Sequence, residues 1–520
     1  MTEREAGQPR EDDPGDLGAR PLVPEPTVPE PTAPGLIAPV SPEAGDFAGR
    51  AARGFAVNAG FGLALRVLGV AEGLVVPRVL GPSMVGLFAV AGSVLSVGNS
   101  LKEFGISQKL VQDDAPLEET YPTAFTLELI SSTVLALGVI ALAPLFAAIR
   151  HEPQIVPLVA ALAVTLFANA FVGLPGAVFL RRLAYVRQST VAAVAPVVSF
   201  VVTVGLAVAG AGVWALAGGA IASFVVSSVV VTAMAPLKPR LELNRAVARR
   251  FIAFGWPLWL SGLLGLSTTI AGTLVIAAQL GNSGLAFFVL SQNLGAQAYQ
   301  FDAILGRSIY PVLCRTTDDK AAQRRAFETT TRITTIWAGV AGFGLVLFAG
   351  DLVRHILGPK WAPATFLIEM QGFAVVTGSL GYSWDLFFRA RGNTKPTLLL
   401  SAMNELWVFA VLLPAVILKG LTGGAWAVAS LSVLTLVVRQ VPISRLFPGL
   451  SLIRTARREL ASVGAAAALT ALIRSAAGHP TSLLAAAMFV GLFLSLVAAF
   501  IAAVDGRFLR DLLRVFRRRG

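Results

Sequence analysis

Leu80-Gly81 closes one apolar stretch of this chain, and Leu280-Gly281 closes another 200 residues later. Ser83 and Ser283, then Phe88 and Phe288, continue the echo. A second echo pairs Ala211-Gly212-Val213-Trp214-Ala215 with Gly423-Gly424-Ala425-Trp426-Ala427. Between and around these marks the chain is apolar almost throughout. Two copies of one multi-helix bundle in a membrane is the plan of an alternating-access transporter, in which the pathway runs between the copies.

The composition supports a membrane setting. Of 520 residues, 55% are hydrophobic and only 14% charged, and mean hydropathy is +0.72; soluble domains carry roughly 25% charged residues. Three His and one Cys leave no metal constellation and no disulfide framework, each of which needs several convergent partners. The net charge of +12 is unevenly spread. Residues 1–46 hold ten Asp and Glu against three Arg, with ten of the thirty Pro. Such a segment cannot bury enough apolar surface to offset its ordering entropy, so an acidic, disordered, cytosolic tail is expected there. The basic excess elsewhere fits cytoplasmic loops; nucleic-acid binding would need basic and aromatic residues clustered on one surface.

A spanning helix needs about 20 apolar residues. Fourteen stretches qualify: 55–76, 84–108, 122–149, 155–180, 188–209, 212–234, 251–279, 285–313, 330–349, 364–388, 397–418, 423–441, 460–478 and 482–504. The expected fold is therefore an all-α integral membrane protein of about fourteen transmembrane helices. Pro175, Pro196, Pro257 and Pro414 are the expected kink sites. If residue 55 enters from the cytoplasm, twenty-nine Lys and Arg fall on the inner side. Six fall outside: Arg78, Arg150, Arg354, Lys360, Lys419 and Arg474. That bias puts both termini in the cytosol. The echoes join spans six apart, so the copies enter the membrane the same way and form a parallel repeat. Residues 50–234 are expected as the N-terminal six-helix bundle and 251–445 as the C-terminal one. Residues 446–520 should hold an interfacial segment at 446–460, helices thirteen and fourteen, and a basic tail lying on anionic headgroups.

Ten ionisable residues stand out among those within or at the margins of the spans: six acids (Glu72, Glu103, Glu128, Asp302, Asp385 and Glu405) and four bases (Arg66, Lys102, Arg307 and Arg389). At about 2.5–3.5 kcal/mol each in mid-membrane, they must snorkel, pair, or line a wet cavity. Asn58, Gly62, Arg66, Gly69, Glu72 and Gly73 share one face of the first helix. Gly92, Ser96, Asn99, Glu103 and Ser107 make a stripe on the second, and Gln292, Gly295, Tyr299, Asp302 and Gly306 one on the eighth. Polar stripes at repeat-related places are what a central hydrophilic cavity requires. Small and polar residues also serve plain helix packing, and those near the cytosolic ends also suit snorkelling or local ion pairs. Arg66 sits near mid-span with no acid one turn away, which leaves it lining a cavity and binding an anion, or pairing with an acid on another helix.

At these residues the chain resembles the polysaccharide transporter family of the multidrug/oligosaccharidyl-lipid/polysaccharide exporter superfamily, which includes O-antigen-type flippases. The likeness is carried by Arg66-Val-Leu-Gly69 with Pro77-Arg-Val-Leu-Gly-Pro-Ser-Met-Val-Gly-Leu-Phe-Ala89, and by Phe104-Gly-Ile-Ser-Gln-Lys-Leu-Val-Gln112. Gly210-Ala-Gly-Val-Trp-Ala-Leu216 and Leu357-Gly-Pro-Lys-Trp-Ala-Pro-Ala364 complete it. The resemblance implies two six-helix bundles around a cavity that opens alternately to each side of a bacterial inner membrane. Its implied cargo is an oligosaccharide on a polyprenyl pyrophosphate, turned from the inner to the outer leaflet. Arg66 would hold the pyrophosphate, with Lys102 and Arg307 as helpers, and Asn99, Gln292 and Tyr299 are further candidates for binding the substrate. The excess of acids departs from an anion-binding cavity. Some would pair the bases; Glu72, Glu103 and Asp302 are the candidates for carrying H+ or Na+ as the coupling ion.

No cofactor or metal is expected. The expected partners are membrane lipids, the lipid-linked oligosaccharide, and polysaccharide polymerase or export machinery; nucleic acid is not among them. A drug or cation antiporter of the same superfamily is the competing function, and the acid excess suits it. A glycolipid polymerase or ligase would be an enzyme with a large external catalytic loop, whereas the longest external segment here, 350–363, offers only Asp351 and His355.

Overall fold

The computed structural model describes residues 68–102, 106–112, 115–182, 185–315, 319–391, 395–478 and 480–517. Among these no strand occurs, and the chain runs as successive helices. The first seven are α1 (Leu68–Leu80), α2 (Pro82–Lys102), α3 (Ile106–Gln112), α4 (Leu117–Arg150), α5 (Ile155–Arg181), α6 (Tyr185–Val208) and α7 (Val213–Met234). After a connection follow α8 (Arg245–Arg315) and α9 (Lys320–Asp351). A π turn at Leu352–Leu357 and a 3-10 turn at Pro359–Ala364 lead into α10 (Thr365–Ser379) and α11 (Trp384–Ala390). The chain ends with α12 (Lys395–Trp407), α13 (Leu413–Leu446), α14 (Leu452–Ala477) and α15 (Leu483–Arg517).

Among the described residues nine helical stretches are long and apolar enough to cross a membrane, or ten if α1 and α2, bent by 118° at Gly81, are counted as a pair. The fourteen expected spans differ from this count partly because glycine breaks lie inside long helices, and partly because the expected span 364–388 is broken between α10 and α11. Gly281 (φ 69°, ψ −179°) divides α8 where spans 251–279 and 285–313 were expected to part. Gly420 (φ 61°, ψ −142°) divides α13 between 397–418 and 423–441. Only glycine enters these dihedral regions without strain. The chain folds back sharply at Gly420. A Cβ on Gly423 would lie 2.1 Å from the Ala415 carbonyl oxygen, and the Trp407 indole donates to the Ala427 carbonyl at 3.3 Å.

The expected kinks are only partly where proline stands. α5 and α6 run through Pro175 and Pro196 as single helices, while a π turn at Val408–Leu412 sits directly before Pro414. Of the first expected span, 55–76, only the part from Leu68 is described. Residues 446–460 comprise the end of α13, a turn, and the start of α14, which continues unbroken to Ala477. Residues 1–46 lie outside the described residues.

The echoes acquire geometry. Gly81 (φ 78°) and Gly281 (φ 69°) are both left-handed joints between successive helices. The second echo is shifted: the dihedrals of Gly212 (φ 60°, ψ −135°) recur at Gly420, not at Gly424. Gly424 is instead a packing position, since its Cβ would lie 2.2 Å from the Phe288 ring. Trp214 and Trp426 both point outward, at 45% and 61% exposure.

In lipid, helices associate through close van der Waals contact rather than by excluding water. α9 and α10 show this: a Cβ on Gly342 would come within 2.5 Å of the Gly372 carbonyl, and the reverse holds equally. Large aliphatic side chains such as Val134, Leu137, Val201 and Leu484 stay exposed on the outer faces, as a lipid-covered surface allows. α14 packs on α9 and on α15.

Candidate functional site

One end of the bundle carries few charges, and there the elements before and after residue 245 are sealed together. α2 makes its most extensive packing against α8. The approach is backbone to backbone: a Cβ on Gly86 would lie 1.7 Å from the Asn282 carbonyl oxygen. The Asn282 side chain then bridges two groups at the end of α4. It accepts from Arg150 Nη2 at 3.2 Å and donates to Glu152 Oε1 at 3.1 Å.

A second set of contacts lies beside the first. Arg78 Nη1 donates to the carbonyls of His355 (3.1 Å) and Ile356 (2.7 Å) in the π turn. The Trp361 indole donates to the Pro77 carbonyl at 3.0 Å and meets Phe287 edge-on, with centroids 5.7 Å apart. Beneath them a shared apolar layer joins Leu87, Val90 and Val94 of α2 to Leu285, Ala286 and Phe288 of α8. Buried aromatics of this kind dominate interface energetics, and their N–H groups need partners when enclosed.

Below this closure the two faces of α8 diverge. Gln292, Asn293, Gln297 and Gln300 are all exposed, on one broad side of the helix. The opposite side packs on α10: a Cβ on Gly295 would lie 2.3 Å from Gln371 Nε2, and the Tyr299 hydroxyl donates to the Ala374 carbonyl at 3.2 Å. Tyr299 stacks on Tyr382 at 5.4 Å, and Arg439 lies over the Tyr382 ring at 5.8 Å while donating to the Gly378 carbonyl. Asp302 is 4% exposed. Neither of its carboxylate oxygens has a hydrogen-bond partner among the described residues; Arg439 acts on it electrostatically. A groove of 550 Å³ opens beside Arg439, walled by Trp384, Phe388, Leu399 and Arg445.

The candidates from the sequence are thus distributed as follows. Tyr299 and Asp302 come together on the α10 side of α8, whereas Gln292, from the same stripe, stands on the exposed side. Asn99 is exposed on α2. Glu72 is half-buried and accepts from Ser199 Oγ of α6 at 2.8 Å. Arg66 and Glu103 lie outside the described residues; so do the side chains of Lys102 and Arg307, whose backbones are on α2 and α8. The sequence reading missed Arg439, which stands at the margin of the expected span 423–441, and Asn282, whose only signal was its place one residue after the echoed Leu-Gly.

A family model described as polysaccharide biosynthesis protein matches residues 75–366, more than half of the chain. The chain belongs to the polysaccharide biosynthesis protein family. The matched segment of this family member encloses both sides of the closure, from Pro77 to Trp361. Among its relatives, the lipopolysaccharide biosynthesis protein WzxC of Escherichia coli (strain K12) is 23% identical over 370 residues, covering 69% of this chain and 73% of that protein. The succinoglycan biosynthesis transport protein ExoT of Rhizobium meliloti (strain 1021) is 22% identical over 294 residues, covering 56% of this chain and 59% of that protein. The lipid II flippase MurJ in its inward closed conformation matches with a TM-score of 0.69 and 10% identity, over 88% of this chain and 99% of that one. An inward-facing multidrug resistance MATE family transporter of the MOP superfamily matches at 0.53 and 15% identity, over 75% and 96%. These likenesses establish a shared multi-pass, all-helical fold.

Proposed function

We propose that this polysaccharide biosynthesis protein is a flippase. It turns a lipid-linked (polyprenyl pyrophosphate) oligosaccharide across the bacterial inner membrane by alternating access, with both termini cytosolic. The low-charge end then faces out, and the state described is closed to the outside. The observation that carries this reading is the Gly86–Asn282 approach, where segments on either side of residue 245 meet through close backbone contact, a few polar bonds and a shared apolar layer. Such a joint is short enough to open as a unit while the bundles 50–234 and 251–445 rock about the opposite end.

The exposed amides of α8 suit the cargo. Four amides facing hydrocarbon would be costly, whereas a wet route relieves that cost and offers donors and acceptors to sugar hydroxyls. The family description and the relatives' roles in lipopolysaccharide and succinoglycan biosynthesis favour the sugar cargo over a drug.

Asp302 is the coupling residue in this account. A carboxylate enclosed without a hydrogen-bond partner is expensive while charged, so exchange of H+ or Na+ there couples naturally to opening and closing. Asp302→Asn should uncouple the cycle. The test of the whole reading is leaflet assay: cells lacking this chain should accumulate lipid-linked oligosaccharide in the inner leaflet, and re-expression should move it out. An unchanged leaflet distribution would contradict the proposal.

A further inference from the structure

The arginine-rich end of the bundle holds a groove of 460 Å³ between the start of α9 and the start of α14, outside the route described above. Six arginines line it: Arg324, Arg325 and Arg332 from α9, and Arg454, Arg457 and Arg458 from α14. Glu328 is the one acid in that lining among the described residues. Some of these charges are matched. Arg332 pairs with Glu459 at 2.5 Å and with Asp505, which ties α9 to α14 and α15. Arg324 pairs with Glu328 at 2.9 Å, and Arg458 reaches Asp505 at 3.6 Å. Arg325, Arg454 and Arg457 are exposed and have no ion pair or hydrogen bond from their side chains among the described residues.

This placement is locally unfavourable. Arg454, Arg457 and Arg458 stand at i, i+3 and i+4, where like charges repel one another. They also occupy the first two turns of α14, where the helix dipole favours anions and disfavours cations, and no acid stands in the first turn. Some arginines elsewhere on the same end are matched: Arg181 donates to the Leu110 and Ala115 carbonyls, Arg182 pairs with Glu118, and Arg391 donates to Gln323. A topology signal needs only basic residues near the helix ends; it does not need them converging from two helices more than a hundred residues apart on one groove.

We propose that this groove is a phosphate-binding site, and that its ligand is the phosphodiester headgroup of an anionic phospholipid of the adjoining leaflet. A guanidinium pair grips phosphate oxygens bidentately, and an anion there relieves both the arginine repulsion and the dipole mismatch. The inference rests on the arginine-rich end lying at a membrane surface, and not on the chain flipping a lipid-linked sugar. Because α14 and α15 meet α9 through Arg332, a lipid in the groove sits on the joint that attaches the two C-terminal helices.

The test uses the full chain purified in neutral detergent and exchanged into micelles doped with phosphatidylglycerol or with phosphatidylethanolamine. Retained lipid is counted by native mass spectrometry. Phosphatidylglycerol should be kept in preference, and each of Arg325→Gln, Arg454→Gln and Arg457→Gln should lower its retention about fivefold. The triple variant Arg240→Gln, Arg245→Gln and Arg249→Gln, made on the same end but outside the groove, should retain it like the wild type. Inorganic pyrophosphate at millimolar concentration should not displace the lipid; displacement would replace the headgroup with a soluble phosphate ligand. Equal loss in both sets of variants, or no preference for phosphatidylglycerol in the wild type, would overturn the site. Flipping is not the readout, so either result leaves the transport reading to its own test.

Discussion

The indole of Trp361 donates to the carbonyl of Pro77, 284 residues earlier in the chain, and the side chain is enclosed at 0% exposure. Pro77 is at the end of α1 and Trp361 in the turn before α10, so one hydrogen bond pins the two ends of the closure together. The same carbonyl also accepts from the Gly81 amide at 2.9 Å, within the joint between α1 and α2. A change at Trp361 is therefore felt at the joint itself.

Trp361→Phe should keep the bulk and lose the bond, costing about 1 kcal/mol. Trp361→Ala should cost about 3–5 kcal/mol through the cavity it leaves. Thermal unfolding of the purified protein in detergent reads the order, and the alanine variant should also label more readily from the outside at cysteines placed below the closure. Equal melting temperatures for all three would show that the contact is incidental.

Gly86 is among the described glycines least able to accept a side chain in this state. Gly86→Leu should destabilise the closed state, by about 1–3 kcal/mol or more if the backbones resist, and so shift the population toward opening. Export should fall while the amount of protein in the membrane stays near normal. A variant with normal export would show that α2 and α8 do not need this approach.

Arg332 and Glu459 form a pair in which Glu459 is buried. Arg332→Met leaves that carboxylate uncompensated and should cost about 3–5 kcal/mol. The double variant Arg332→Met with Glu459→Met should recover part of that loss. Additive losses in a double-mutant cycle would mean that the two side chains do not act as a pair.

Asp302→Asn removes the exchangeable charge but keeps the shape. Binding of the lipid-linked sugar should persist while its movement loses dependence on the ion gradient. A variant that still responds to an imposed H+ or Na+ gradient would take Asp302 out of the coupling step.

Much of the architecture was legible in the sequence because length and hydropathy alone specify a spanning helix, and because Leu80-Gly81 and Leu280-Gly281 recur as joints of similar dihedral. The register of the second echo was less so. Gly424 matched Gly212 in sequence, but the turn fell at Gly420, since several glycines stand together at 420–424 and local pattern does not say which takes the positive φ. The polar stripe on α8 was legible as polar, but not in its division. Gln292 and Tyr299 are close in helical phase, yet the boundary between the exposed face and the face packed on α10 runs between them. Only the position of α10, with Gln371 and Ala374 on it, sets that boundary. Arg439 was missed for a related reason: at the margin of a span, snorkelling and folding inward look alike until its partners Tyr382 and Gly378 are known.

Reversible crosslinking across the closure tests the central claim most directly. Arg78→Cys and His355→Cys, introduced together with Cys314→Ser, place thiols on the two sides joined by the Arg78 bonds. A thiosulfonate crosslinker of matching span should stop oligosaccharide movement to the outer leaflet, and a reducing agent should restore it. Undiminished flipping by fully crosslinked protein would contradict the account, because the closure would then not need to open.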